Sequence, residues 1–89
     1  MGELKFKLSR HVREETARRS IPLNLLESVL EKPEQVVSER AGKKAYQSQV
    51  DFGSGKIFLV RAIVDETVTP PVVVTVYRTR KITKYWRNI

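Results

Sequence analysis

The stretch KIFLVRAIVD, residues 56 to 65, does most to limit what this chain can fold into. With a period of two it places Phe58, Val60, Ala62 and Val64 on one face and Ile57, Leu59, Arg61 and Ile63 on the other. A strand that is apolar on both sides apart from one arginine belongs at the centre of a sheet rather than at its edge. Further strands are expected at Val36 to Arg40, Lys44 to Phe52 and Val72 to Arg80. Turns at Ala41-Gly42-Lys43 and Gly53-Ser54-Gly55 and a longer Pro70-Pro71 loop join them. Short turns between consecutive strands predict a four-stranded antiparallel meander.

Ahead of the strands, Leu4, Phe6 and Leu8 alternate with polar neighbours as a short extended lead-in. Ser9 suits the N-cap of a first helix ending near Arg19 or Ser20, with Glu14/Arg18 and Glu15/Arg19 as i,i+4 pairs. Only Val12 and Ala17, helped by Leu8, are available to face a core. Pro22 opens a second helix in which Leu23, Leu26, Val29 and Leu30 recur at helical spacing, and Pro33 ends it. The predicted fold is α+β: an N-terminal helical hairpin packed on one face of the meander. A chain of 89 residues cannot divide its core, so this is one domain over residues 1–89, with a basic aromatic tail at 81–89.

The chain has no cysteine and one histidine, His11, which excludes disulfides, thiolate zinc sites and multi-histidine metal sites and makes the reducing cytoplasm the expected location. No apolar run approaches the roughly 20 residues that span a bilayer, and the polar start MGELKFKLSR is unlike a secretory signal. Gly53-Ser54-Gly55 lacks the GxxxxGK[ST] pattern of a phosphate loop, so neither a nucleotide nor any other cofactor is expected. The charge is uneven. The last 15 residues, TVYRTRKITKYWRNI, hold five cations and no acid, which is +5 of the chain's net +7. Such a local excess draws in polyanions, or else merely keeps a small domain soluble.

The order His11, Arg19-Ser20-Ile21, LLESVLEKPEQV, a glycine turn into a strand pair, and VVVTVYRTRKITKYW resembles a small prokaryotic domain family grouped with the RelE/ParE-type and BrnT-type toxins of toxin–antitoxin modules. The resemblance runs from about Phe6 to Trp86. It departs where relatives carry arginine four residues after the histidine, here Glu15, where the usual Arg-Gly-Ile bend has Ser20, and where Pro22 replaces a small polar residue. The resemblance implies a RelE/ParE-like fold. It also implies a toxin-like, metal-independent endoribonuclease or a ribosome-associated RNA-binding domain, neutralised by a small antitoxin protein. Gyrase poisoning occurs in the same superfamily. The alternative is a non-catalytic module of the same fold that binds nucleic acid or a partner protein, and a homodimer is compatible with either.

Metal-free RNA cleavage of the RelE kind needs a group to take the 2′-hydroxyl proton, one to stabilise the crowded phosphate and one to protonate the leaving 5′-oxygen. The candidate catalytic residues are His11, Arg61, Arg78 and Tyr85. Histidine as a residue type is the usual acid–base group near neutral pH, which makes His11 a candidate; the alternative is a half-buried structural residue. Arg61, a cation inside an apolar strand, either meets an anion in a cleft or pairs with a carboxylate such as Asp51 or Glu39. Arg78 follows Val72, Val74 and Val76 on one face of the last strand, and is expected either to converge with Arg61 into a phosphate clamp or to end the strand in solvent. Arg19, Tyr77, Arg80, Lys81, Lys84, Trp86 and Arg87 are candidate RNA-binding residues. Their cations suit backbone phosphates and their rings unpaired bases, although Trp86 equally suits packing against the helices and Arg19 capping its helix.

Overall fold

The computed structural model describes residues 5–88. Its elements are β1 (Lys7–Leu8), α1 (Arg10–Arg18), α2 (Leu23–Glu31), β2 (Gln35–Ser38), β3 (Lys44–Asp51), β4 (Ile57–Asp65), β5 (Val72–Thr79) and α3 (Ile82–Tyr85), with a single 3-10 turn at Arg40–Gly42. The fold is α+β. The expected meander is present as β2-β3-β4-β5, but the sheet has five strands in the order β1-β5-β4-β3-β2 and is mixed, because β1 pairs parallel to β5 at Lys7–Val72 and Leu8–Val73. Part of the lead-in is therefore a strand; Leu4 lies outside the described residues.

Local chemistry sets the helices. The Ser9 hydroxyl accepts the Val12 amide at 3.1 Å and starts α1. The helix stops where Ser20 adopts φ 55°, and the Ile21 amide closes on the Thr16 carbonyl at 2.9 Å. Left-handed backbone suits glycine better than serine, so Ser20→Gly is expected to stabilise the fold by about 0.5–1 kcal/mol in urea titration. A destabilised variant would mean that the hydroxyl contributes more than the backbone strain costs. Pro22 is the N-cap of α2 and Lys32, just before Pro33, its C-cap, and the helix buries Leu26, Val29 and Leu30. The helices pack more on the sheet than on each other, α1 over β5 and α2 over β3 and β4.

The buried stripe of α1 is Val12, Glu15 and Thr16, and Ala17 is exposed, contrary to expectation. Steps of three and four residues keep one helix face, whereas a step of five turns well away from it. A carboxylate thus sits in the core stripe. Its place follows from the sheet: β1 is only two residues long, so beyond Val73 the outer edge of β5 has no strand beside it. Glu15 covers that edge, its Oε1 accepting the Val76 amide at 3.2 Å and the Thr75 hydroxyl at 2.7 Å. On the β3 side, beyond the end of β2, Glu34 likewise accepts the Gln49 amide at 2.9 Å. Satisfying edge amides with side chains removes sites for unwanted strand pairing.

The main core lies between helices and sheet and contains Leu8, Val12, Ile21, Leu26, Val29, Leu30, Val60, Ala62, Val64, Val73 and Val76. β4 presents its two faces as expected. β5 does not, because a register shift opposite Ile63 and Val64 leaves Val74 as an extra residue. Val73, Val76 and Arg78 consequently face the helices, while Tyr77 and Thr79 face away.

Candidate nucleic-acid interface

On the face away from α1 and α2, strand register lines up a polar row: Gln35 of β2 opposite Gln47 of β3, Gln47 opposite Arg61 of β4, and Arg61 opposite Tyr77 of β5. Arg61 is only 2% exposed. Its Nε donates to Gln47 Oε1 at 2.8 Å, and its terminal nitrogens donate to the Tyr77 hydroxyl oxygen and to Glu39 Oε2, both at 2.6 Å. The Tyr85 ring lies 4.2 Å from the guanidinium carbon. A buried cation is tolerable because three charge-assisted hydrogen bonds and one ring face replace its water. The carboxylate pairing anticipated as one alternative is the one adopted, with Glu39 rather than Asp51.

The tail is not loose over its described length. After β5 the chain crosses the open face as a strap. α3 brings Tyr85 over Arg61 and into edge-on contact with Tyr77 at 6.3 Å between centroids. Gln47 Nε2 donates to the Tyr85 carbonyl at 3.2 Å and also to Gln35 Oε1 at 2.9 Å. Gln35 in turn holds the Arg87 backbone at both ends, donating to its carbonyl at 2.6 Å and accepting its amide at 3.0 Å. Beside this anchor, a shallow groove of about 260 Å³ runs along Val36, Val37, Ser38 and Arg87. Lys81, Lys84 and Arg87 remain exposed, as does Arg80 just before the strap. Among the described residues none of these four is ion-paired to a carboxylate. Trp86 is half-buried.

Two phenols in this cluster are driven apart. Burial pushes Tyr77 above its ordinary value despite the opposing hydrogen bond and charge of Arg61. Lys84, by hydrogen bond and charge, holds Tyr85 below its ordinary value against a smaller desolvation effect, with Tyr77 and Arg61 assisting.

The expected clamp does not form. Arg78 is opposite Val60 in the register, so it lies on the helix side of the sheet while Arg61 lies on the strap side. Neighbouring residues of a strand point to opposite faces, and the one that shares a face with Arg61 is Tyr77. His11 is on α1, in the layer across the sheet from Tyr85, with Nε2 3.3 Å from Glu15 Oε2. Arg19 is also drawn to Glu15, at 3.4 Å, and Arg18 at 3.9 Å. Of the four candidate catalytic residues, the structure brings together only Arg61 and Tyr85. Of the RNA-binding candidates it gathers Tyr77, Lys81, Lys84, Trp86 and Arg87 on the strap side, with Arg80 at its start. Sequence reasoning missed Gln35 and Gln47 altogether. The turn centred on Ser54, closed by Phe52 and Lys56, fixes the hairpin register and was a usable signal for Gln47 facing Arg61.

Among the described residues no cluster of metal-ligating side chains occurs, and no helix is long and apolar enough to cross a membrane. Fold and site together define a small α+β domain with two helices on one face of a mixed sheet and a basic aromatic strap on the other. Residues 8–78 match the family described as a domain of unknown function, DUF4258, and the chain belongs to that family. The matched span includes Arg61 and Tyr77 and ends before the strap. No curated protein and no solved structure matches the chain.

Proposed function

We propose that this chain is a cytoplasmic RNA-binding domain of the toxin-like class, engaging single-stranded RNA, alone or on the ribosome, across its strap. The observation that carries this reading is the anchoring of α3. Two glutamines and Arg61 hold the backbone and ring of the strap, while no acid among the described residues neutralises the solvent-facing charge of Lys81, Lys84 and Arg87. Cations on a fixed support recognise phosphates at lower entropic cost than cations on a mobile tail. A small acidic antitoxin covering the same surface belongs to this proposal.

RNA cleavage is a second reading, favoured by the divergent phenols beside a guanidinium and a carboxylate. In such a reaction the 2′-oxygen attacks phosphorus as its proton passes to a base. The bond to the 5′-oxygen breaks and that oxygen takes a proton, leaving a 2′,3′-cyclic phosphate and a free 5′-hydroxyl. This reading assigns proton removal to Glu39 or Tyr85 and proton delivery to Tyr77. Arg61 can reach a phosphate only if Glu39 or Tyr85 moves, so binding without chemistry is the simpler use of the arrangement.

The test is fluorescence anisotropy with a labelled unstructured RNA across salt concentrations. Binding is expected to weaken steeply with salt, and the double variant Lys84→Ala/Arg87→Ala to reduce the log–log slope by roughly 1.4, at about 0.7 for each phosphate no longer neutralised. Wild-type protein with no affinity, or with no salt dependence, overturns the proposal. Cyclic-phosphate ends on RNA incubated with chelator present would add the catalytic reading, and intact RNA would leave the non-catalytic module.

A further inference from the structure

Arg78 was expected either beside Arg61 or at a solvated strand end, and its actual surroundings give it a different use. At the β3–β4 hairpin end of the sheet, on the helix side, Phe52 and Phe58 meet edge to face at 5.3 Å. The Arg78 guanidinium lies 4.4 Å from the centre of the Phe52 ring and 4.7 Å from that of Phe58. Arg80 approaches Phe58 as well, at 5.2 Å. Phe52 packs against the main core, so this aromatic platform is fixed. Among the described residues neither arginine is ion-paired with a carboxylate. Arg61, Arg10, Arg18 and Arg19, by contrast, all have acidic partners.

Two guanidinium groups beside one ring repel each other, and a shared anion relieves that repulsion. Stacking on a ring occupies the face of a guanidinium and leaves its in-plane N–H groups directed outward, the geometry that meets two phosphate oxygens at once. We propose that Arg78 and Arg80 on the Phe52/Phe58 platform form a second phosphate site for the RNA strand that the strap binds. Continuity of charge favours a nucleic acid over an acidic peptide here. From Arg78 the chain carries Arg80, Lys81, Lys84 and Arg87 around the end of the sheet from the helix side to the strap side, a cationic track of the kind a phosphodiester backbone follows. The RNA therefore wraps the sheet end rather than lying on one face.

The inference rests on the RNA-binding reading, and its test separates the two. The same labelled RNA is titrated against wild type, Arg80→Gln and Arg78→Gln/Arg80→Gln, each first checked for cooperative unfolding; Arg80 is exposed, so its single variant keeps the question answerable if the double variant is unstable. The double variant is expected to bind about tenfold more weakly with a salt slope lower by roughly 1.4, and Arg80→Gln to lose about half of that slope. Wild-type binding that weakens with Lys84→Ala/Arg87→Ala but not with Arg80→Gln or the double variant overturns this site alone. No wild-type binding overturns both. If poly-glutamate displaces the RNA from wild type at lower charge concentration than unlabelled RNA does, the platform is a peptide site and the phosphate assignment fails.

Discussion

Arg61→Ala is expected to lower the stability of this domain by about 3 kcal/mol, a drop in melting temperature on the order of 15 °C for a chain of this size. Three hydrogen bonds and a ring contact vanish together. The Gln47 carbonyl oxygen, in a fully buried residue, loses its donor, and a void opens beneath Tyr85. Glu39 keeps 30% of its side-chain surface exposed and recovers some hydration, which sets the loss at the lower end of the range for breaking a buried ion pair. Arg61→Met, which fills the volume without the bonds, should fall between alanine and wild type. Thermal unfolding followed by circular dichroism measures all three. An alanine variant within about 0.5 kcal/mol of wild type would show that the row Gln35–Gln47–Arg61–Tyr77 does not support the sheet. The prediction also bears on the RNA-binding proposal: weaker RNA binding by Arg61→Ala identifies an RNA contact only if the folded fraction is unchanged, so the informative variants lie on the strap.

The parts of the fold that depend on neighbouring residues were readable in advance. Ser9, Pro22 and Pro33 bound the helices, the glycine turns separate the strands, and the two-sided apolar pattern of β4 places it centrally. What escaped reading depends on pairings distant in sequence. β1 is two residues long and gains its identity only from Val72 and Val73, more than sixty positions later. The extra residue Val74 reverses the facing of part of β5, and an apolar run of three valines carries no sign of where a bulge falls. That reversal, together with the register, puts Arg61 and Arg78 on opposite faces of the sheet.

The candidate site was half legible for the same reason. Arginine in an apolar strand announced a buried charge, and Glu39 was among its possible partners. Gln35 and Gln47 looked like the wet side of half-exposed strands because alternation says which residues share a face and not whether that face is covered. The strap covers it. Its basic aromatic composition pointed to a polyanion or to docking, and the structure shows the docking: the Tyr85 ring and the strap backbone are directed to the sheet, while the cations face water.

Glu15→Ala is expected to cost about 2–4 kcal/mol, although a glutamate four residues from His11 and four from Arg19 reads as a surface charge. Its removal leaves the Val76 amide and the Thr75 hydroxyl without their acceptor and His11 and Arg19 without their shared acid. Glu15→Gln keeps an acceptor oxygen and loses the charge, so its cost should be about half as large. Burial of Glu15 opposes ionisation, but the Thr75 and Val76 hydrogen bonds and the His11 and Arg19 charges outweigh it, holding the carboxyl below its ordinary value. A folded-state pKa below the unfolded one gives stability that is complete above the unfolded value of about 4.5 and is lost as pH falls through the folded value. Urea titrations at neutral pH and near pH 3 should therefore show wild type losing more stability on acidification than Glu15→Gln. Asp65, whose carboxyl is also lowered, by the Thr67 hydroxyl and amide, is common to both proteins and cancels. Equal acid losses in the two proteins would mean that the charge of Glu15 does not secure the β5 edge. If it does, Glu15 is committed to closing the sheet edge, and in the RNA-binding proposal the phosphate contacts fall to the arginines and lysines from Arg78 onward.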